Sequence, residues 1–588
     1  MNKPLARGTL ALLAIASIVS ASCSSASRQP GQAAREGSAG TAAPQKRTAV
    51  IGISAPIPGF SFAFLGTSGG GSQSFDELWR QGLVTTGKTS TAPEPRIAAE
   101  LPSLDRGTAV VLPDGRLRAT WRIRPEVKWA DGTDLRARDY AFGMEVMKDP
   151  QNPLAGATLV VNIAPMIESL EVIDDKTFVM NWHRPFYLFD AIGFFALQPV
   201  PTHVLRTVWD ERNMEGFANH SYWREDYFQV GPYRPVKFEP QVEIILEAVP
   251  FYFMGKPKID TLVIKQFADS RVLYAAVLAG AVDLTGDNSL GTEQSIELKE
   301  LWERTGQGKV YVGYGTSRGI FPMFNPETQS EPAMLDPRVR QALYMAVDRE
   351  TWTAASLAGS KESVSYSLLP PDHSLFEFTK DSLRPYPYDT QRASRSLEEL
   401  GWARGADGTL RNRADGRPFK QEIWTTQDSE SEASILADMW QHVGMQTGIF
   451  IIPNAQQGNR QLRQSYTGVE ISARGGGDSI LTRAECSTLP VAPRFDGANR
   501  GHYCNPEMDR LLGEYRSSIT RADQGRWIGE VARFHAFDMP MMQLYFSLST
   551  PAVVKGFSAL ADDFRGGTQP QGYYGSYMRN AHEWEWTP

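Results

Sequence analysis

The alternation of apolar and polar positions changes period within a few residues between Trp121 and Met147. Trp121, Ile123, Val127 and Trp129 follow a broken period of two, which predicts a half-buried strand pair. Asp131-Gly132-Thr133 then reads as a tight turn, because Gly accepts positive φ and Asp bonds its own backbone. Ala137, Tyr140, Ala141, Met144 and Met147 fall on one helical face, and Lys148-Asp149-Pro150 ends that helix because Pro cannot continue it.

The same reasoning places further elements. Ala49–Ile53 is an apolar run that predicts the first strand of the folded part, and Thr177–Met180, Gln241–Glu247, Ile259–Ile264 and Glu422–Thr425 predict others. Val272, Ala275, Ala276 and Ala279 predict a small-residue helix face, stopped by Gly280. Asp336-Pro337 is the clearest helix start, since Asp accepts from the open N–H groups and Pro presets φ. Val339, Ala342, Leu343, Ala346 and Val347 form its buried stripe. Asp348, Asp389 and Asn505 cap three more helices. The second of these turns Ala393, Leu397 and Leu400 inward, and the third Met508, Leu511, Leu512 and Tyr515.

Length and composition narrow the class. A chain of 588 residues predicts roughly two to four domains. With 41% hydrophobic and 22% charged residues most of it is globular, not disordered or fibrous. The net charge of −7 and the absence of long basic runs exclude a nucleic-acid footprint. At the N-terminus, Lys3 and Arg7 precede an uncharged run, Thr9–Val19, that is too short to span a bilayer. Ser20-Ala21-Ser22-Cys23 follows, and residues 24–47 are rich in Ala, Gly, Ser, Gln and Pro, which predicts a flexible tether. Cys486 and Cys504 remain, as one disulfide or as two buried thiols.

Five blocks, in order, resemble the extracellular solute-binding proteins of family 5, the oligopeptide-, dipeptide- and nickel-binding components of bacterial ABC importers. In the first, Arg122, Arg124, Val127, Trp129, Asp131, Gly132, Thr133, Leu135, Ala137, Asp139 and Tyr140 match that family's signature, with Arg136 where it has a capping Thr. Gly231-Pro232-Tyr233 with Tyr252, Gly255, Lys256 and Pro257 is the second, although Val249-Pro250 replaces an Asn-Pro. Val282-Asp283-Leu284, the run from Asp336 to Glu350, and Tyr388–Trp402 complete the series. The sequence around Cys23 is similar to a lipoprotein lipobox, with Ser20 in place of the usual Leu; an ordinary secretory signal is the other reading.

The resemblance implies an α/β protein with a two-lobed periplasmic-binding-protein type II fold and an extra subdomain inserted in the first lobe. The expected divisions are a signal peptide over 1–23, the tether over 24–47, and lobe I over 48–85, 200–310 and 543–588. The extra subdomain takes 86–199 and lobe II 311–542. The implied role is a monomeric, lipid-anchored, extracytoplasmic receptor that closes on a peptide or similar small solute and delivers it to an ABC permease. No enzyme activity, cofactor or metal is expected: the eight His are scattered and neither H-E-x-x-H nor a P-loop occurs.

The ligand contacts are expected where the chain departs from its relatives. Asp478 occupies the place of the Asp that pairs with a peptide ammonium in peptide-binding members, but Gly475 replaces the Trp before it and no Asp-Pro follows. Arg474 and Arg483 share that glycine-rich stretch and suit an anionic group, or are simply solvated. Trp424 is either a cleft platform or a core residue. Two alternative functions stand beside this one. Gly66–Gly70 fits the G-x-S-x-G elbow of a serine hydrolase, with Ser68 as nucleophile, although a loop rather than a helix follows it. A receptor lipoprotein without transport is the third.

Overall fold

The computed structural model describes residues 47–587 apart from 61–74, 87–91, 155–162, 565–575 and some shorter breaks. Cys23 with its leader, most of the tether, and the Gly66–Gly70 motif with Ser68 lie outside the described residues.

Three sheets organise the described chain. Strand β1 (Thr48–Ile53) begins the first, and the chain then leaves for a four-stranded antiparallel sheet. That sheet comprises β2 (Ala109–Val111), β3 (Leu117–Arg122), β4 (Ile167–Val172) and β5 (Thr177–Trp182), ordered β2-β3-β5-β4, with helix α1 (Ala137–Lys148) between β3 and β4. The return adds β6 (Tyr233–Glu239), β7 (Glu243–Ala248), β8 (Thr261–Gln266), helix α2 (Ser270–Leu278), β9 (Leu284–Thr285) and β10 (Gly308–Val310) to the first sheet. The chain next crosses to a five-stranded sheet of β11 (Gly313–Pro322), β12 (Lys420–Thr426), β13 (Gln446–Ile452), β14 (Val469–Ala473) and β15 (Met542–Ser549). Helices α3 (Pro337–Met345), α4 (Glu430–His442), α5 (Pro506–Ser517) and α6 (Arg521–Asp538) pack around it. Finally β16 (Ala552–Val554) crosses back, giving seven strands in the order β10-β16-β9-β1-β8-β7-β6.

The stretch from Trp121 to Met147 is held by one carboxylate. Arg136 has no side-chain acceptor with which to cap α1, so Asp139 does the work from inside the helix. It accepts the Arg136 N–H at 3.0 Å and the Trp129 indole N–H at 3.2 Å. Its other oxygen takes the Thr202 N–H at 3.2 Å and hydroxyl at 2.5 Å, where the chain returns to the first sheet. Trp121, Ile123, Val127 and Trp129 are all buried. Helix α1 buries more than the one face expected: Ala137, Tyr140 and Met144 enter the core of the four-stranded sheet, while Phe142 and Val146 enter that of the seven-stranded sheet. The helix is a wall between two cores.

The caps at Asp336, Asp348, Asp389 and Asn505 all form, each side chain accepting a first-turn N–H at 2.8–3.0 Å. The buried stripes behind Asp336 and Asn505 are the expected ones. On α2 the expectation is corrected. Val272 is 48% exposed, and Leu273 and Val277 are buried instead, because Leu273 fits against Gly52 of β1 and buries more apolar area than an Ala face would.

Two stability tests follow from these contacts. A Cβ on Gly143 of α1 would lie 2.0 Å from the Gln198 carbonyl oxygen, a backbone atom that cannot step aside. Gly143→Ala is expected to cost about 1–3 kcal/mol in urea unfolding, as overpacking does. Burial on α6 pushes the His535 imidazole down to about 4. Below its ordinary 6.5 the unfolded chain therefore takes up a proton that the folded chain refuses, so stability falls as pH drops from 6.5 to 4. The full loss is about 3 kcal/mol, and His535→Gln should remove that part of the pH profile.

Candidate ligand-binding cleft

The register of the sheets decides where a ligand can lie. In the seven-stranded sheet β1 runs parallel to both β8 and β9, so their carboxyl ends share one edge. In the five-stranded sheet β12 is parallel to β13 on one side and β14 on the other. The connection through α4 goes one way and the strand after it returns on the other, which makes the carboxyl ends of β12 and β14 a topological switch point. Both edges lie at the two chain crossings, Tyr311–Val312 and Thr550–Pro551, because β11 starts and β15 ends there.

Asp287, fully buried just after β9, fastens these crossings. Its N–H donates to the Tyr577 hydroxyl at 2.7 Å, and the Ser549 hydroxyl donates to its carboxylate. Thr550 reaches Ser295 at 2.7 Å, and the Ala552 N–H donates to Thr285 Oγ1 at 2.8 Å. The two large sheets thus meet at a hydrogen-bonded seam.

On the second sheet, Arg318 of β11 lies opposite Ala473, the last residue of β14, and opposite Tyr545 of β15. Its guanidinium grips Glu432 in the first turn of α4 with two nitrogens and also donates to Ser429. Tyr545 donates its hydroxyl to the same carboxylate at 2.6 Å. Burial pulls the Arg318 pKa down, but Glu432 more than offsets this and holds it above its ordinary value, so the group stays cationic. Thr316 and Ser547 continue this wall toward the crossings, bonded to each other across β11 and β15.

The residues singled out from sequence are distributed around this edge. Gly475 follows β14 and accepts the Ser317 N–H at 2.9 Å, so the stretch with Arg474 and Asp478 begins at the carboxyl end of β14. Arg474 and the side chain of Asp478 lie outside the described residues. Arg483 turns inward and donates to the Ala498 carbonyl at 2.5 Å, beside a crevice with room for about one water molecule. Trp424 is 8% exposed, 4.1 Å from the Phe450 ring and packed on Met323, Ile452 and Tyr466 on the sheet face opposite α4. Cys486 and Cys504 form a disulfide that ties the segment after Arg483 to the start of α5. Arg318, Glu432, Tyr545 and Asp287 escaped the sequence reading, because their partners lie more than a hundred residues away. Only Glu432, acidic in a helix first turn, left a local signal.

The family profile described as bacterial extracellular solute-binding proteins, family 5 Middle, matches residues 93–479. The chain belongs to this family. A candidate ABC transporter peptide-binding protein of Brucella ovis is 26% identical over 346 residues, which is 58% of this chain and 58% of that relative. The chain thus spans less than two thirds of that family member. Over most of the chain, an oligopeptide-binding protein from Thermus thermophilus complexed with a pentapeptide superposes with a TM-score of 0.72. It is 21% identical, with 92% of this chain and 96% of that one covered. NikZ from Campylobacter jejuni, in complex with Ni(L-His), gives 0.70 at 19% identity, covering 92% and 100%. The fold is the two-lobed type II arrangement of these family 5 proteins. Among the described residues, no helix is long and apolar enough to cross a membrane, and no three His, Cys, Asp or Glu side chains are grouped to hold a metal ion.

In this family 5 chain the disulfide closes a loop with a sequence separation of 18. Replacing both Cys486 and Cys504 by Ser is expected to lower unfolding stability by about 3 kcal/mol, the loop-closure value for that length. Guanidinium unfolding of the oxidised and double-Ser proteins measures it.

Proposed function

We propose that the protein is the extracytoplasmic solute-binding component of an ABC importer, held to the membrane by a lipid on Cys23, and that it works as a monomer. In this reading lobe I comprises 48–85, 200–310 and 543–588 with the subdomain 86–199, and lobe II comprises 311–542. A peptide or a comparably small polar solute enters between them and is handed to a membrane permease. The single observation that carries the reading is that the carboxyl-end edges of both large sheets lie at the same two chain crossings, an arrangement that suits a hinged trap. The name of the Brucella relative and the pentapeptide bound to the Thermus protein support a peptide. NikZ, with Ni(L-His), supports leaving room for smaller solutes.

The mechanism follows from population shift. A solute that touches both edges binds the closed state better than the open one, and only that difference drives closure. A decisive shift needs about 5 kcal/mol of differential affinity. Arg474 and Asp478, beyond the end of β14, and Arg318, held rigid by Glu432, are the polar contacts assigned to lobe II. Thr316 and Ser547 add neutral donors and acceptors. Trp424 and Arg483 stiffen the wall behind them.

At a hundred times its Kd the solute adds about 2.7 kcal/mol to stability, read as a rise in Tm. The same sample should show a smaller radius of gyration in solution scattering. Failure of pooled di- to pentapeptides, amino acids and metal–histidine chelates to change either quantity would falsify the reading. The anchor has its own check: labelled fatty acid should enter the expressed protein and be lost from Cys23→Ala.

A further inference from the structure

After β5 the chain leaves the four-stranded sheet and reaches the helix pair α5 and α6, which the solute-capture reading assigns to lobe II. Trp182, the last residue of β5, stacks on Phe186 at 5.1 Å, and Phe186 meets Tyr187 edge-on at 5.0 Å. Tyr187 enters the joint between the two helices. Its ring lies 4.9 Å from that of Tyr515 on α5. Its N–H donates to the Arg516 carbonyl at 2.7 Å, and its own carbonyl accepts from Gln524 Nε2 of α6 at 3.4 Å. Phe186, Tyr187, Leu188 and Phe189 are buried, in one apolar cluster with Leu512 and Ile528 of the two helices. At the far end of the loop the Ile192 carbonyl accepts the Val84 N–H at 3.2 Å, so both ends of the loop are fastened on the lobe I side.

The partners of Tyr187 suit a contact that forms and breaks. Arg516 lies in the last turn of α5, where helix carbonyls have no intrahelical donor, and the Tyr187 N–H supplies one. If the lobes part, water can take over both hydrogen bonds at small net cost. What opposes parting is the ring pair and the apolar surface around it. None of these groups is among the polar contacts assigned to the cleft, so the contact does not depend on the chemistry of a solute.

We propose that the loop from Arg184 to Ile192 is a latch that biases the lobes toward closure before a solute arrives. The proposal rests on the solute-capture reading and deepens it. When only the closed state binds tightly, apparent affinity scales with the fraction of molecules already competent to bind. A latch that raises this fraction therefore tightens every solute by the same factor.

Solution scattering and amide exchange on the full chain, without solute, test the latch directly. Tyr187→Ala and Gln524→Ala are the latch variants, and Val277→Ala, a core truncation on α2, controls for lost stability. The wild type is expected to protect the Arg184–Ile192 amides. Both latch variants should lose that protection and gain radius of gyration, and Val277→Ala should do neither. Calorimetry with individual di- to pentapeptides then reads affinity. For each peptide that binds, Tyr187→Ala should raise Kd by one common factor of about three- to tenfold, the range of an aromatic pair. Latch variants that match the wild type in radius and exchange overturn the inference, as does a factor that differs from peptide to peptide; solute capture then stands. If no peptide binds any of the proteins, the peptide reading falls and the solute-free comparison still decides the latch. Should Tyr187→Ala not fold by circular dichroism, Gln524→Ala decides alone.

Discussion

Among the described residues, two short stretches of backbone, Tyr311–Val312 and Thr550–Pro551, are the covalent passages between the seven-stranded and five-stranded sheets. Everything the lobes can do relative to each other is constrained by this pair. Where β15 ends and β16 begins, Asp287 is tied to Ser549 on one side and Tyr577 on the other. A fully buried residue has to keep such partners, because losing Ser549 takes a donor from the desolvated carboxylate and losing Tyr577 takes the acceptor from the buried N–H. The crossings are thus positioned by hydrogen bonds as well as by the packing of Tyr311 on Phe564. Such bonds can change direction over a small rotation, whereas an interdigitated core resists it.

The extra subdomain modifies this simple picture. Helix α1 belongs to two cores at once, and Asp139 ties it to the returning chain at Thr202. Yet the loop from Arg184 to Ile192 also packs against α5 and α6, in an apolar cluster continuous with the subdomain core. The contact places a second set of lobe-to-lobe interactions far in sequence from the crossings.

The family signature is explained without a ligand. Its Asp, Gly and Thr make the turn at Asp131, its aromatic residues fill the core, and Asp139 fastens strand to helix. The departure at Arg136 is harmless because the bond from Asp139 to the Arg136 N–H forms without any help from the cap side chain. Such a motif marks a fold reliably because it is a stability device; it says little about the solute.

Local physics was legible in the sequence. Capping carboxylates at Asp336, Asp348 and Asp389, the turn at Asp131 and the stripe behind Asn505 depend on neighbours within a few residues, and the chain alone determined them. The facing of α2 and the double burial of α1 were not legible, since both depend on which surface another element presents: Gly52 of β1 in one case, the Gln198 backbone in the other. The same holds for the polar walls of the cleft. Arg318 meets Glu432 across 114 residues, and Asp287 meets Ser549 across 262. A long-range ion pair is invisible to periodicity because each partner, read alone, looks like a solvated charge. Only the tertiary fold, by removing water from both, decides which charges are satisfied by one another.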